Sequence, residues 1–472
     1  MYKIVFLSVL MLCSITASAQ VYFEKTYKPS NDFNAEGFWT PSFEMANQNE
    51  YISIGLTTNL SQGQGWLVKT NANGDTLQTK LFGNLNRNYK PFSALYTDDN
   101  KIMILCNAVG DSTLEMDLII TDSDFNIESI YNYRNDTFSH YASHLVETEN
   151  GYLIVTGVDY KNSTVLPDAC LLFIDRNGNR VWEKIYGGDA YDAFVSAIYT
   201  ADKGFLALGT TRSFGAKKWY LVKTDSLGNQ QWEKTYESSN DVLGWGITQK
   251  SDGNFILTGI GGNTSYSRGI IRVVDPDGIT LWTRQYTYEN EDQNLYWTYE
   301  LADGSLISVG LTNSDNAGYL QKTDSEGNLL WQHKYNYNDN TDLFYNVLPT
   351  ADGGFLLSGQ CANDTIGQDA WLLKVDSLGC PYPNCTVGIE EDSKTVAFNL
   401  WPNPAAETLN VEVFNSKETT LSIKDMLGKE VYHAVFAEAK MLVDVSLFNK
   451  GIYIVAVSSG SNAPILKKVV IN

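Results

Sequence analysis

The chain has 472 residues, too many for one ordinary core, so about two to four domains or one repeat architecture are expected. Its 34 Lys and Arg against 55 Asp and Glu give a formal charge of −21, which argues against a nucleic-acid binder, whose surface must be basic. A composition 43% hydrophobic and 19% charged belongs to a folded chain, and 12% aromatic residues with only 11 Pro favour β-structure.

Lys3 precedes an apolar run from Ile4 to Ile15, and Ala17-Ser18-Ala19 then supplies small residues. That order predicts a secretory signal peptide over residues 1–19, cut before Gln20. Cys13 follows Leu12, which is not the small residue a lipoprotein signal prefers, so soluble export is expected rather than lipidation. No other apolar stretch reaches transmembrane length, so no membrane span is expected after cleavage.

From residue 51 a period near 50 organises the chain: GYLIVTG (151–157), KGFLALG (203–209), GNFILTG (253–259), GSLISVG (304–310) and GGFLLSG (353–359), with weaker copies YISIG (51–55) and KIMILC (101–106). The closing positions Gly55, Cys106, Gly157, Gly209, Gly259, Gly310 and Gly359 are spaced by 51, 51, 52, 50, 51 and 49 residues. A second block, such as WYLVKTDSLGN (219–229), leads into strands of the WEKTY type beginning at Trp182, Trp232, Trp282 and Trp331. Each unit thus holds four short strands with tight Asp-Ser-Leu-Gly-Asn and Ala-Asp-Gly-Gly turns, the pattern of a β-propeller blade. The seventh copy stops after three strands, and residues 21–27 (VYFEKTY) match its missing fourth. The expected fold is all-β: a seven-bladed β-propeller over residues 20–380 closed by an N-terminal strand, which would remove open edges.

These repeats resemble exported bacterial and archaeal propeller repeats of the D-G-G-F/Y-x-L-x-G … K-T-D-x-x-G-N-x-x-W type. The Asp-x-x-Gly-x-x-x-Trp part is also similar to the tryptophan-docking motif of quinoprotein propellers, which implies blade architecture and no particular chemistry. The second copy, TDSDFNIESIY (121–131), lacks both the turn Gly and the Trp. The four Trp are expected to pack between blades rather than to stack on a ligand.

In such a ring the short uniform turns lie on one face and the variable loops on the other, where binding residues are expected. Phe92, Phe194, Trp245, Tyr296 and Tyr345 open the innermost strands, with Asp192, Asp241, Asp292 and Asp342 just before four of them. Two readings compete. One is an aromatic–carboxylate funnel for a sugar or a cation, with calcium on several Asp oxygens as a variant and no other cofactor. The other is structural, because a residue repeated in every blade usually holds the start of its strand, whereas a site breaks the repeat. No G-x-S-x-G elbow, H-E-x-x-H or P-loop occurs. A non-enzymatic module for a glycan or protein ligand is therefore preferred over an exported hydrolase or lyase, or a structural spacer. His140 and His144 lack the partners of a zinc site and are read as ordinary strand or loop positions, so no metal site is assigned. Of the cysteines beyond Cys13, Cys380 and Cys385 flank a turn-rich loop that a disulfide can close. Cys106 and Cys170 read as small buried hydrophobes, and Cys361 stays ambiguous.

After Cys385 the period stops. Residues 381–393 read as a linker, and the alternation in VEVF, LSIKDM and YIVAV predicts a small antiparallel β-sandwich over 394–472. Its markers are Pro402-Asn403-Pro404, the stretch from Asp425 to Val431 containing Gly428, Gly451-Ile452-Tyr453, and Lys467-Lys468 before Val469-Val470-Ile471. In that order they resemble the type A C-terminal sorting domain of proteins exported by the type IX secretion system of Bacteroidetes. The resemblance implies passage through the periplasm, contact with the secretion machinery, and delivery to the cell surface or the medium. A monomer is expected.

Overall fold

The structure is a computed structural model. It describes residues 20–471 except 29–33, 36–37, 39–41, 46–49, 60–61, 84–87, 98, 110–113, 135–137, 161–166, 237–241, 264–265, 289–290, 313–315, 338–340, 364–366, 384, 386–397, 414–418, 426–428, 437, 439 and 460–464. The expected signal peptide, most of the expected linker, Asp241 and Gly428 lie outside the described residues. The chain divides into two compact units, residues 1–387 and 388–472.

In the first unit, five of the seven sequence repeats each form an antiparallel four-stranded sheet. Sheet B runs Asn88–Tyr96, Lys101–Val109, Leu114–Asp122 and Ile127–Asn132. Sheet C runs Phe138–Glu147, Gly151–Tyr160, Asp168–Asp175 and Arg180–Tyr186, and sheet D runs Asp192–Tyr199, Phe205–Thr211, Lys218–Thr224 and Gln230–Tyr236. Sheet E runs Leu243–Gln249, Phe255–Asn263, Tyr266–Val274 and Thr280–Tyr286, and sheet F runs Gln293–Glu300, Leu306–Thr312, Ala317–Thr323 and Leu329–Tyr335. The first copy (A: Phe43–Met45, Glu50–Asn59, Gln62–Thr70, Thr76–Phe82) and the last (G: Leu343–Pro349, Phe355–Asn363, Gly367–Val375) belong to one nine-stranded sheet. Asn34–Ala35 joins them, pairing with both Glu50–Asn59 and Gly367–Val375. Phe23–Tyr27 is the fourth strand of G, with Phe23 opposite Lys374 and Tyr27 opposite Ala370.

The cores lie between successive sheets. Leu153 and Val155 of C pack with Phe194, Phe205 and Tyr220 of D, and Ile307 and Val309 of F pack with Phe344 and Val347 of G. One such cluster joins the last sheet to the first: Phe23, Tyr27, Leu356 and Leu372 with Tyr51, Trp66 and Val68.

A recurring clamp explains the W-x-x-x-Y pattern. Trp182 of sheet C lies so close to the third turn of sheet D that a Cβ on Gly228 would sit 2.7 Å from its Cζ3, and Gly228 also needs its φ of +73°. Tyr186 Oη donates to the Gly228 carbonyl at 2.7 Å. Tyr236, Tyr286 and Tyr335 repeat that bond to Gly278, Gly327 and Gly379 at 2.8, 2.8 and 2.7 Å. Tyr27 does the same to Gly74 at 2.7 Å, so the N-terminal strand clamps sheet A as a blade's outer strand would. The degenerate copy shows why Gly and Trp occur together. Phe125 occupies its turn at φ +65°, and the neighbouring strand offers Gln78, whose Nε2 donates to the Asp124 carbonyl at 2.9 Å.

The K-T-D lysines act within sheets. Lys223 reaches Asp202 at 2.7 Å, Lys322 reaches Asp303 at 3.1 Å and the fully buried Lys374 reaches Asp352 at 2.9 Å. Each pair ties the third strand to the turn before the second.

Cys380 and Cys385 are joined by a disulfide, and Cys106, Cys170 and Cys361 are free and buried. In the second unit Phe398–Trp401, Thr408–Val413 and Lys440–Asp444 form one sheet. Thr419–Asp425, Glu430–Phe436, Gly451–Ser459 and Ile465–Ile471 form the other. Residues of both, including Leu409, Val411, Leu421 and Val455, share one buried cluster.

Candidate functional site

Sheets B to G carry the same irregularity between their first two strands. One extra residue bulges from the first strand: Phe92, Ser143, Val195, Trp245, Tyr296 and Tyr345 in turn. In sheets D to G the closing glycine of the sequence repeat makes room for it. A Cβ on Gly209, Gly259, Gly310 or Gly359 would lie 1.9, 2.1, 1.8 or 1.9 Å from the carbonyl oxygen of Ala193, Leu243, Asn294 or Leu343. In sheet C a Cβ on Gly157 would meet only the Asp168 carbonyl, at 3.6 Å. In sheet B the equivalent pair is Cys106 and Pro91.

All six bulged residues line one cavity of about 750 Å³. The repeat is broken there. Phe92, Trp245, Tyr296 and Tyr345 present rings, whereas Ser143 and Val195 leave room on the side of sheets C and D. Trp245 and Tyr296 stand perpendicular, at 89° with ring centres 5.3 Å apart, and Tyr345 lies 5.8 Å from Tyr296. The residue after each bulge adds a second layer. Trp297 reaches the imidazole of His144, 5.5 Å between centres, and Gly246 leaves space for the Trp297 ring, whose Cε3 would lie 3.0 Å from a Cβ there.

The polar groups gather on the side with small bulge residues. Tyr141 Oη donates to Asp159 Oδ2 at 3.2 Å, and Tyr191 and Pro167, outside the strands, also line the cavity. Asp192 is fully buried. Its Oδ2 accepts from Gly188 N at 2.9 Å and Ser213 Oγ at 2.6 Å, while Oδ1 has no partner among the described residues. His144 Nδ1 accepts from Ala197 N at 3.4 Å, so the neutral ring carries its proton on Nε2. Burial pushes its pKa down to about 4. Burial raises Tyr296 to about 12, and raises Tyr141 with help from Asp159. The indole Nε1 atoms of Trp245 and Trp297 are buried without a partner among the described residues.

Of the residues expected from sequence, Trp245, Tyr296, Tyr345 and Asp192 come together around the cavity. Asp342 does not line it. Its Oδ2 accepts from Tyr337 N at 2.6 Å and its Oδ1 from Ala362 N at 3.2 Å, holding a loop at the start of its strand. Asp292 does not line it either, and Asp241 is not described. Among the described residues no three His, Cys, Asp or Glu side chains are grouped to hold a metal ion. Phe194 is not the counterpart of Trp245. It lies opposite Gly209, stacked on Tyr220 at 5.6 Å, and Val195 takes the bulge. Sequence reasoning missed Trp297, Tyr141 and Asp159, and gave His144 no place in a site. Gly209, Gly259, Gly310 and Gly359 could have located their bulges, because the cavity residue follows the one facing each of them, whereas Gly157 faces Tyr141, two residues before Ser143.

In the second unit, Asn403 links two distant markers: its Oδ1 accepts from Val470 N at 2.9 Å and its Nδ2 donates to the Lys468 carbonyl at 3.0 Å. Tyr453 Oη donates to the Asn449 carbonyl at 2.8 Å, in the strand that Gly451 opens, and Lys467 Nζ bonds the Phe398 carbonyl. Pro402 and Pro404 flank Asn403 on the exposed surface. Residues 399–472 match the family of secretion system C-terminal sorting domains. The protein is exported. That domain directs it by the type IX route through the outer membrane, to the cell surface or the medium.

No curated protein matches the sequence. Solved structures similar to the chain include a protein of unknown function from Dyadobacter fermentans, 11% identical, covering 75% of this chain and 98% of that one with a TM-score of 0.43. Sqt1 from Chaetomium thermophilum is 9% identical over 80% and 97% of the two chains, with a TM-score of 0.42. The polysaccharide lyase Uly1 is 10% identical over 76% and 100%, with a TM-score of 0.45. Among the described residues no helix is long and apolar enough to cross a membrane.

Proposed function

We propose that this is a non-enzymatic binding module, exported to the cell surface or the medium, whose ligand sits in the aromatic cavity. The observation that carries this is the broken repeat: six equivalent bulges face one space, and four carry rings while two are small. The scaffold is a seven-bladed propeller over residues 20–380, closed by the strand Phe23–Tyr27. Support comes from its pairing with Gly367–Val375 and its clamp on Gly74. A signal peptide over residues 1–19 precedes it, and a linker over 381–393 leads to a small β-sandwich over 394–472. The repeats and the sorting domain together suit a Bacteroidetes surface protein.

The hydrolase or lyase alternative finds little support in the polar groups. A lyase base would need a free imidazole nitrogen or a phenolate, yet His144 Nδ1 is taken by a backbone N–H and Tyr141 is shifted up, away from ionisation. A glycan array and a pull-down on residues 20–385, with and without calcium, test the reading. The expected result is a ligand whose binding is weakened in Trp245→Leu and in Tyr345→Leu. Product formation, or a ligand indifferent to both substitutions, overturns it.

A further inference from the structure

Resting on that cavity being the binding site, we infer that its ligand is a small organic cation carrying an alkylammonium head. Charge comes first. Among the described residues the cavity lining contains two carboxylates, Asp159 and Asp192, and no Lys or Arg. His144 adds no positive charge at neutral pH, because burial pushes its pKa down to about 4. An anionic ligand such as a uronate or a sulfated sugar would meet carboxylates with nothing to neutralise it.

The rings narrow the choice further. Trp245 and Tyr296 meet at right angles, 5.3 Å between centres, with Tyr345 beside Tyr296, and Phe92 also belongs to the lining. Rings gathered at one cavity offer negative π-faces, which suit an ammonium head. A sugar is better served by one flat platform with paired donors and acceptors at its edge. Asp192 supplies the third observation. It is fully buried at the cavity wall, and among the described residues one carboxylate oxygen has no hydrogen-bond donor. That oxygen is closed to the solvent, so the carboxylate favours a bound cation through its field rather than by contact. The net charge of −21 draws cations toward the molecule from a distance.

Calorimetric titration of the exported protein with choline, its neutral carbon isostere 3,3-dimethylbutan-1-ol, and cellobiose tests the inference. Choline should bind at least about tenfold more tightly than the isostere, and cellobiose should not bind. Tyr296→Phe keeps the ring face and should keep choline binding, whereas Tyr296→Leu and Trp245→Leu should each weaken it about tenfold. Thermal melting of each variant verifies that it is folded. Equal affinity for choline and the isostere overturns the cation assignment and leaves the cavity as the site, as does cellobiose binding that Trp245→Leu abolishes. Choline binding that survives both Leu substitutions overturns the cavity reading as well, and absence of choline binding overturns the inference.

Discussion

Gly310 and Gly228 show two different reasons for a repeated glycine, and each predicts its own response to alanine. At Gly310 a methyl group would meet the Asn294 carbonyl at 1.8 Å, so Gly310→Ala must push the bulge, and Tyr296 with it, out of place. At Gly228 the obstacle is the Trp182 ring and a φ of +73°, so Gly228→Ala should cost about 1–3 kcal/mol without touching the cavity. Urea unfolding of both variants, with ligand titration of the first, separates the two effects. The turn aspartates add a pH dependence. Asp225 is held below the ordinary carboxylate range by Asn229, and Asp303 is lowered to about 2, chiefly by Ser305. A carboxylate lowered in the folded state contributes stability that is complete above the unfolded value, near 4, and lost as pH falls through the folded value. Melting temperature should therefore fall between about pH 4 and pH 2, and the substitution Asp225→Asn should flatten part of that fall.

At the scale of strands, the repeat was readable because turns and closing glycines recur at fixed spacing, and the structure places four-stranded antiparallel sheets on that spacing. The candidate site was only half readable. A bulge inserts one residue and reverses which face the next side chain takes, so Phe194 looked equivalent to Trp245 although Val195 holds that place. The carboxylates were not separable by spacing: Asp192 and Asp342 both lie two residues before the residue that faces the closing glycine, yet only Asp192 lines the cavity. Tyr141 and Asp159 meet across neighbouring strands of one sheet, a juxtaposition that no repeated motif announces. The N-terminal strand gives the sharpest test at this scale. Removing residues 20–27 strips Gly367–Val375 of its outer partner and takes Val21 N and Gln20 Nε2 from Asp352. A clear fall in melting temperature is expected, and an unchanged one argues against closure by this strand. Lys374→Ala should cost about 3–5 kcal/mol in urea unfolding, because it leaves Asp352 without its buried partner.

For the whole molecule, the sorting domain and the first unit are expected to have separable tasks. Deleting residues 394–472 should leave the first unit folded but retained in the periplasm, as cell fractionation would show. The truncated protein at the surface in normal amount would contradict that role for the domain. The pairing of the first strand with the last sheet also dictates an order of events. Val21 meets Asp352 across 331 residues, so no emerging portion of the chain can finish the first unit alone. Every earlier sheet can form while synthesis continues, but the final stitch waits until both ends share one compartment. The first unit is thus stitched shut by its two ends, and neither end alone can do it.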